Sequence, residues 1–326
     1  MKFPAANLID LHPAPADMKR LVCQGLRRRP RQLPAWFLYD IEGSKLFDRI
    51  CEQPEYSLMR TETRLIEQQA SAIAQELCKH GQNLNTAIIE FGAGSARKVG
   101  PLLQALKPDS YIALDISYTH LQLSIESLQR LYPDVSVLGI CCDHSKLEKL
   151  PAHPLIGEHH CIGFFPGSSL GNFSSEEAVA LLKGFRRLLN GGPLLLGLDH
   201  PKAPSRLEAA YNDAAGVSAA FARNLLKRLN LELRGDFIVE QFDYRACWQP
   251  EHRRIAMALI SCQDQQVNVA GQRWNFSSGE ELITEYSVKY DPRAACSIAA
   301  QAGWRCRTRW HDPDDDLSLH LLETSA

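Results

Sequence analysis

Glu90, Phe91, Gly92, Ala93, Gly94, Ser95, Ala96, Arg97 and Lys98 end an apolar run, Thr86–Phe91, in a glycine-containing loop. Gly-x-Gly at a strand end lets backbone approach a ligand closely, and a helix starting there would aim its first amides at that ligand. The third glycine of the dinucleotide fingerprint is missing, and Arg97 stands in its place. Asp115 closes the next apolar run, 110–114, where a carboxylate can accept both hydroxyls of a ribose. Asp143 follows the third run, 135–140, at the position where an adenine amino group would be read. Three loops at one sheet edge define a crevice for an adenosine compound. With no glycine packed against a diphosphate, S-adenosylmethionine fits better than NAD. A nicotinamide or nucleotide site and a plain tight turn remain the alternatives, and Asp115 as a helix cap is compatible with a ligand role.

The fourth run, His160–Phe165, leads into FFPGSSLGNF. Enzymes that methylate the exocyclic amine of a base carry an Asp/Asn-Pro-Pro-aromatic tetrad at this point, and it is absent here. The Gly-Ser-Ser-Leu-Gly-Asn turn instead offers hydroxyl, backbone and amide donors. Asn172 could hold a small anion such as a carboxylate, or satisfy local turn amides.

The 326 residues are 45% hydrophobic and 23% charged, and the net charge is −2. That composition excludes wholesale disorder, and the charge offers no global field for nucleic acid or an anionic membrane. No apolar run approaches a bilayer span, and no signal-peptide block opens the chain. A cytoplasmic monomer without nucleic-acid or membrane partners is therefore expected. The ten cysteines, at 23, 51, 78, 141, 142, 161, 247, 262, 296 and 306, show no C-x-x-C and no paired histidine spacing. They read as reduced, mostly buried small hydrophobes, and no metal is expected. The run Arg27, Arg28, Arg29, Pro30, Arg31 reads as a solvated helix end and loop, without the interleaved aromatic residues of an RNA patch.

Several elements must position these loops. A helix is predicted over 61–79, with Leu65, Ile66, Ile73, Ala74 and Leu77 on one face. Apolar runs at 86–91, 110–114, 135–140, 160–165 and 193–198 alternate with helical stretches at 97–106, 119–131 and 174–189, the last opening on a capping signal of Ser174, Ser175 and Glu176. Such alternation implies a parallel α/β sheet with right-handed crossovers. It stops at Asp199. A helix over 205–230, strands over 237–247 and 255–262 and a short loop follow. Beyond them come a helix over 292–303 and strands over 305–310 and 317–323, which would complete the first sheet. Residues 199–288 thus read as a second domain inserted into the α/β layer, joined by the N-terminal residues.

Read together, these residues resemble the histidine-specific Nα-methyltransferases that make hercynine for ergothioneine synthesis. The resemblance rests on YDIEGSKLFDRICEQPEY with the following Arg60 and Glu62, the EFGAG loop with Lys98, FFPGSSLGNF, LEAAYNDAAGVSAAFARNLLKRLN and TEYSVKY. It implies a class I S-adenosylmethionine-dependent methyltransferase (Rossmann-like) α/β sheet with a second, inserted α+β domain. The methyltransferase domain would comprise 61–198 and 289–326, and a substrate-binding domain 8–60 and 199–288.

Carried over by position, the resemblance assigns Gly92, Gly94, Lys98, Asp115, Asp143 and His144 to the S-adenosylmethionine site, and Tyr39 and Tyr56 to its substrate end. Asn172 and Tyr211 would bind the amino-acid carboxylate. Glu285 and Ser287 would grip the imidazole, with Met257 packing against it, and Tyr39 is the nearest candidate for a water-mediated proton route. The imidazole-facing set favours L-histidine over a tryptophan-like substrate. Three positions depart from the family pattern: Ser57 follows Tyr56 where a second Tyr is usual, His144 stands where Phe is typical, and Ala256 replaces an acidic residue. Other readings are an Nα-methyltransferase for another amino acid such as tryptophan and a non-catalytic protein that binds S-adenosylmethionine or histidine.

Overall fold

The computed structural model describes residues 7–12, 15–79, 85–157, 159–314 and 316–324. Residues 13 and 14 of the expected second-domain span 8–60 lie outside these residues. The chain runs through β1 (Asn7–Asp10), α1 (Pro15–Arg27), β2 (Arg31–Gln32), α2 (Ile41–Glu52), α3 (Leu58–Cys78), β3 (Thr86–Phe91), α4 (Gly100–Leu106) and β4 (Ser110–Asp115). Next come α5 (Tyr118–Leu131), β5 (Ser136–Cys141), β6 (His160–Phe165), α6 (Ser175–Leu188), β7 (Leu194–Asp199), α7 (Pro204–Tyr211) and α8 (Val217–Leu233). β8 (Phe242–Gln249), β9 (Arg254–Ser261), β10 (Gln265–Val269), β11 (Gln272–Phe276) and β12 (Glu281–Val288) precede α9 (Pro292–Gln301), β13 (Trp304–His311) and β14 (Leu317–Thr324).

The chain divides into two compact units, Met1–His12 with Leu58–Pro201 and Lys289–Ala326, and Pro13–Ser57 with Lys202–Val288. The first holds an eight-stranded sheet in the order β1-β5-β4-β3-β6-β7-β14-β13. β3 to β7 pair in parallel, while β14 is antiparallel to both β7 and β13. A parallel sheet that reverses strand order at β3, with an antiparallel strand wedged in near one edge, is the class I methyltransferase arrangement. Its strand-order reversal leaves a crevice at the carboxyl ends of β3 and β6. The expected span 8–60 for the second domain is corrected at its start, because Asn7–Asp10 adds to the first sheet in parallel register with Leu138–Cys141.

Burial on both faces explains why the central strands read as unbroken apolar runs. Ile88, Ile89, Phe91, Ile112, Leu114, Leu138 and Ile140 are all buried, and the Phe91 and Phe185 rings stack at 3.8 Å. Each such side chain contributes about 1.5–3 kcal/mol. α6 starts on a complete capping box, but Glu177 rather than Glu176 closes it on Ser174.

In the second unit, β2-β12-β9-β8 form a four-stranded sheet and β10-β11 a hairpin. Three expectations are corrected here. The single helix over 205–230 is two helices, because Gly216 takes φ +70° and the Asp213 carboxylate accepts the amides of Val217 and Ser218 at 2.7 Å, starting α8 afresh. The short loop before 288 is instead β10, β11 and β12, and polar alternation hid the first two. The last arginine of the basic run is no solvated group. Arg31 is 3% exposed, pairs with Glu280 at 2.6 Å, donates to the carbonyls of Leu26 and Asn275, and lies over the Phe276 ring. Among the described residues no helix is long and apolar enough to cross a membrane.

Candidate active site

In the first unit the crevice begins at the glycine loop. Gly92 and Gly94 take φ of +72° and +54°, conformations that favour glycine, and Ala96 follows at +53°. These positive values keep the chain out of right-handed helix, so α4 begins only at Gly100, followed by Pro101. The helix predicted from residue 97 is corrected accordingly, so the glycine loop, not a helix end, follows β3. Gly92 and Ala93 donate to the Leu114 carbonyl at 2.8 and 2.9 Å. Gly94 N–H donates to one Asp115 oxygen at 2.8 Å and Ser117 N–H to the other at 2.9 Å. Asp115 therefore staples the loop, and its remaining lone pairs are available to ribose hydroxyls.

At the end of β5, Asp143 accepts from Ser145 N–H and Oγ and pairs with Lys146 at 3.1 Å. His144 lies among Phe91, Phe165 and Phe185, against Gly92, with Nε2 buried and without a hydrogen-bond partner. Burial lowers its pKa, which keeps the imidazole neutral near pH 7. An adenosine-type donor fits these residues. Nothing lies within 4 Å of a Cβ placed on Gly94, and the orphaned His144 nitrogen gains a partner if a polar ring edge enters.

Lys98, assigned by the resemblance to the S-adenosylmethionine site, pairs with a carboxylate from another element. Its Nζ is 2.5 Å from Glu62 on α3, and Glu62 has no exposed surface. Both Glu62 oxygens accept the Gly167 amide at 2.9 Å. A Cβ at Gly197 would sit 1.9 Å from Glu62 Oε1, so β7 makes room for this carboxylate by carrying glycine there. Glu62 thus joins the glycine loop to the turn after β6, a role that its place in a motif did not disclose.

In that turn the offered hydroxyls are spent internally. Ser168 Oγ accepts the Asp199 amide at 3.0 Å and Ser169 Oγ donates to the Pro166 carbonyl at 3.0 Å. Asn172 is half-buried in the same turn, just before Phe173.

Glu90, also without an assigned role from sequence, is 1% exposed and accepts from Tyr111 Oη at 2.6 Å. Burial pushes its carboxyl up to about 8, against the Tyr111 hydrogen bond and the charge of Lys98. The folded state then keeps a proton that the unfolded chain releases above about 4.5. Stability from this group is complete below 4.5 and declines as pH rises through about 8, by roughly 5 kcal/mol at most. Glu90→Gln removes the titration, so its urea midpoint is expected to fall less than the wild type's over that window. Parallel pH profiles would show that Glu90 is ionised in the fold.

The second unit gathers the other residues. Glu285 and Ser287 alternate along β12, on one face of the strand, and Met257 on β9 is the direct cross-strand partner of Glu285. All three are buried, at 9%, 5% and 6% exposure. Tyr211, the last residue of α7, places Oη 2.9 Å from Ser287 Oγ, and Tyr56 meets the Tyr211 ring edge-on at 5.7 Å. Leu207, Ala246, Ile255 and Met257 form the apolar floor, against which Tyr211, Tyr244 and Trp248 pack. Tyr244, not singled out by sequence, holds the end of α7 by donating to the Tyr211 carbonyl at 2.8 Å. Its phenol pKa is raised by burial and by the negative charge of Glu285. Lys289, just beyond β12, is 1% exposed and pairs with Asp199 at 2.7 Å. Tyr39 stands at the end of a short 3-10 turn with its ring edge-on to Phe47 and Phe221. Asp40 beside it caps α2 through Gly43 and accepts from Asn224.

Comparison with known proteins bears on what such an arrangement serves. The family described as histidine-specific methyltransferase, SAM-dependent, matches residues 18–324. A histidine N-alpha-methyltransferase of Mycolicibacterium smegmatis is 33% identical over 98% of this chain and 99% of its own. One of the same name from Mycobacterium tuberculosis is 32% identical over the same shares. Ergothioneine biosynthesis protein 1 of Neurospora crassa is 31% identical over 91% of this chain, which spans 33% of that protein.

Proposed function

Because the chain belongs to the histidine-specific, S-adenosylmethionine-dependent methyltransferase family, we propose that it methylates the α-nitrogen of L-histidine through to the trimethylated betaine hercynine, the first step of ergothioneine synthesis. One observation carries the choice of acceptor. A buried carboxylate, Glu285, stands across from Met257 and beside the Tyr211–Ser287 hydroxyl pair. A carboxylate accepting from an imidazole N–H makes a charge-assisted bond, while the thioether and the apolar floor suit the ring's faces. The names of the relatives, histidine N-alpha-methyltransferase and ergothioneine biosynthesis protein 1, support the same substrate and product.

S-adenosylmethionine supplies the methyl group from its sulfonium. In the first unit, Asp115 is assigned to the ribose, Asp143 and His144 to the adenine, and Gly92 and Gly94 to close backbone approach. Lys98 is assigned to the same site, where its pair with Glu62 supports the loop after β6. Asn172 is assigned to the amino-acid carboxylate. The second unit, proposed as the substrate-binding domain, supplies Tyr56, Tyr211, Met257, Glu285 and Ser287. Holding an amine in line for displacement can contribute about 7–11 kcal/mol in favourable cases. A neighbouring cation disfavours the α-ammonium form, so no strong side-chain base is assigned, and Tyr39 is given only a water-mediated proton exit. Trimethylation requires clamps that stay fixed while the nitrogen grows.

The direct test is incubation with histidine and S-adenosylmethionine, following successive methyl mass increments, with tryptophan and other amino acids as a panel. Turnover of histidine through three increments is expected. Preference for another amino acid, or binding of both compounds without turnover, would refute the proposal. Tyr211→Phe keeps the ring and removes the hydroxyl, so the KM for histidine is expected to rise about tenfold with the KM for S-adenosylmethionine unchanged. An unchanged KM for histidine would remove Tyr211 from the carboxylate clamp.

A further inference from the structure

Cys296 on α9, Cys306 on β13 and His320 on β14 converge in the first unit, with Sγ, Sγ and one ring nitrogen all within 4.8 Å of one another. We propose that they form a structural site for a thiophilic divalent metal ion of the zinc type, with water as the fourth ligand. Two thiolates and an imidazole are the donor set that such ions take tetrahedrally. Nothing in the methyl-transfer reading uses these residues. β13 runs parallel to β7, and Cys306 lies near its start, so the cluster sits at the sheet edge opposite the carboxyl ends that carry the donor loops.

The geometry of His320 carries the proposal beyond a cluster of thiols. His320 is 1% exposed. Its Nε2 is 2.7 Å from Ser318 Oγ, and the same hydroxyl is 2.7 Å from His200 Nε2. Its Nδ1 is buried and has no hydrogen-bond partner. If Nε2–H of His320 donates to Ser318 and the Ser318 hydroxyl donates to His200 Nε2, every atom of the relay is satisfied and the lone pair is left on Nδ1. A ligating histidine is held in this way, with its far nitrogen donating to a fixed outer partner that sets tautomer and ring orientation. Without an ion the buried Nδ1 is an uncompensated polar atom. Cys296 and Cys306 are half-buried, so the cluster is not closed off from solvent. Two thiolates neutralise a dication, which matters beside Arg309, the cross-strand partner of His320. Donors drawn from three elements leave no paired spacing, so the cysteine positions alone gave no signal.

Titration of the full-length, reduced, metal-stripped protein with cobalt(II) tests this. One equivalent is expected to give visible d–d bands of a tetrahedral ion with near-ultraviolet thiolate-to-cobalt absorption, both abolished by zinc(II). Cys296→Ser and Cys306→Ser, near-isosteric changes at half-exposed positions, should each weaken binding at least about 100-fold. His320→Gln keeps a donor toward Ser318 and removes the Nδ1 ligand, and should do the same. If that buried variant does not fold, the two serine variants decide the matter. Absence of thiolate-to-cobalt absorption in the wild type would overturn the proposal. So would an unchanged spectrum in both serine variants, or a Cys296–Cys306 disulfide formed in place of metal uptake.

Discussion

Glu285→Ala is expected to raise the dissociation constant for histidine about 10- to 150-fold while that for S-adenosylmethionine stays unchanged. The range follows from the roughly 1.5–3 kcal/mol carried by a hydrogen bond to a charged group. Glu285 sits on the central region of a four-stranded sheet, directly opposite Met257, and only 9% of it is exposed. A carboxylate is expensive to keep at such a position, so it must answer a partner that arrives with the substrate or one already in the fold. Calorimetric titration of each ligand into the variant separates the two. Loss of histidine binding alone assigns the carboxylate to the acceptor. Equal loss of both ligands would mark Glu285 as a structural residue, and unaltered histidine binding would remove it from the site. Glu285→Gln, which keeps one acceptor but no charge, should fall between wild type and alanine.

Glu62→Ala is expected to cost about 3–5 kcal/mol of folding stability, because it strands a nearly buried cation. Lys98 is 11% exposed at its side chain, and Glu62 is wholly buried, with the Gly167 amide on both of its oxygens. Removing the carboxylate leaves Lys98 and that amide without their partner and opens a cavity beside Gly197. Urea denaturation reads the loss, and the dissociation constant for S-adenosylmethionine should rise with it, since the pair ties the glycine loop to the turn after β6. Glu62→Gln keeps the amide contact and should cost less than alanine. A loss below about 1 kcal/mol in the alanine variant would place the pair in the range of solvated surface ion pairs, and would show that Lys98 finds another partner.

Much of the first unit was legible because its signals are short-range. Runs such as TAIIEF and HCIGFF are strands buried on both faces, and that burial writes itself as continuous apolarity over six residues. Ser174 announces α6 through a cap that spans one turn. Where local signals compete the sequence misled. The apolar stripe through 205–230 outweighed Asn212, Asp213 and Gly216, although Asp213 supplies the two capping bonds that begin α8. β10 and β11 carry polar residues at alternate positions and read as a loop. The cysteines were expected to be mostly buried, yet only Cys23, Cys141, Cys142 and Cys161 are, because a thiol's local sequence says little about which layer will cover it.

The chain alone determined the strand order's raw material, the glycine loop with its acidic partners Asp115 and Asp143, and the family to which its motifs belong. Those features depend on backbone preference and apolar period, which act over a few neighbouring residues. Tertiary structure alone decided that Lys98 faces Glu62, that Arg31 is interior, that Tyr211 reaches Ser287, and that Cys296, Cys306 and His320 meet. Each of these joins residues from separate elements. Their partners are chosen by how layers pack and by which buried polar atoms must be satisfied, and neither condition leaves a mark at fixed spacing along the chain.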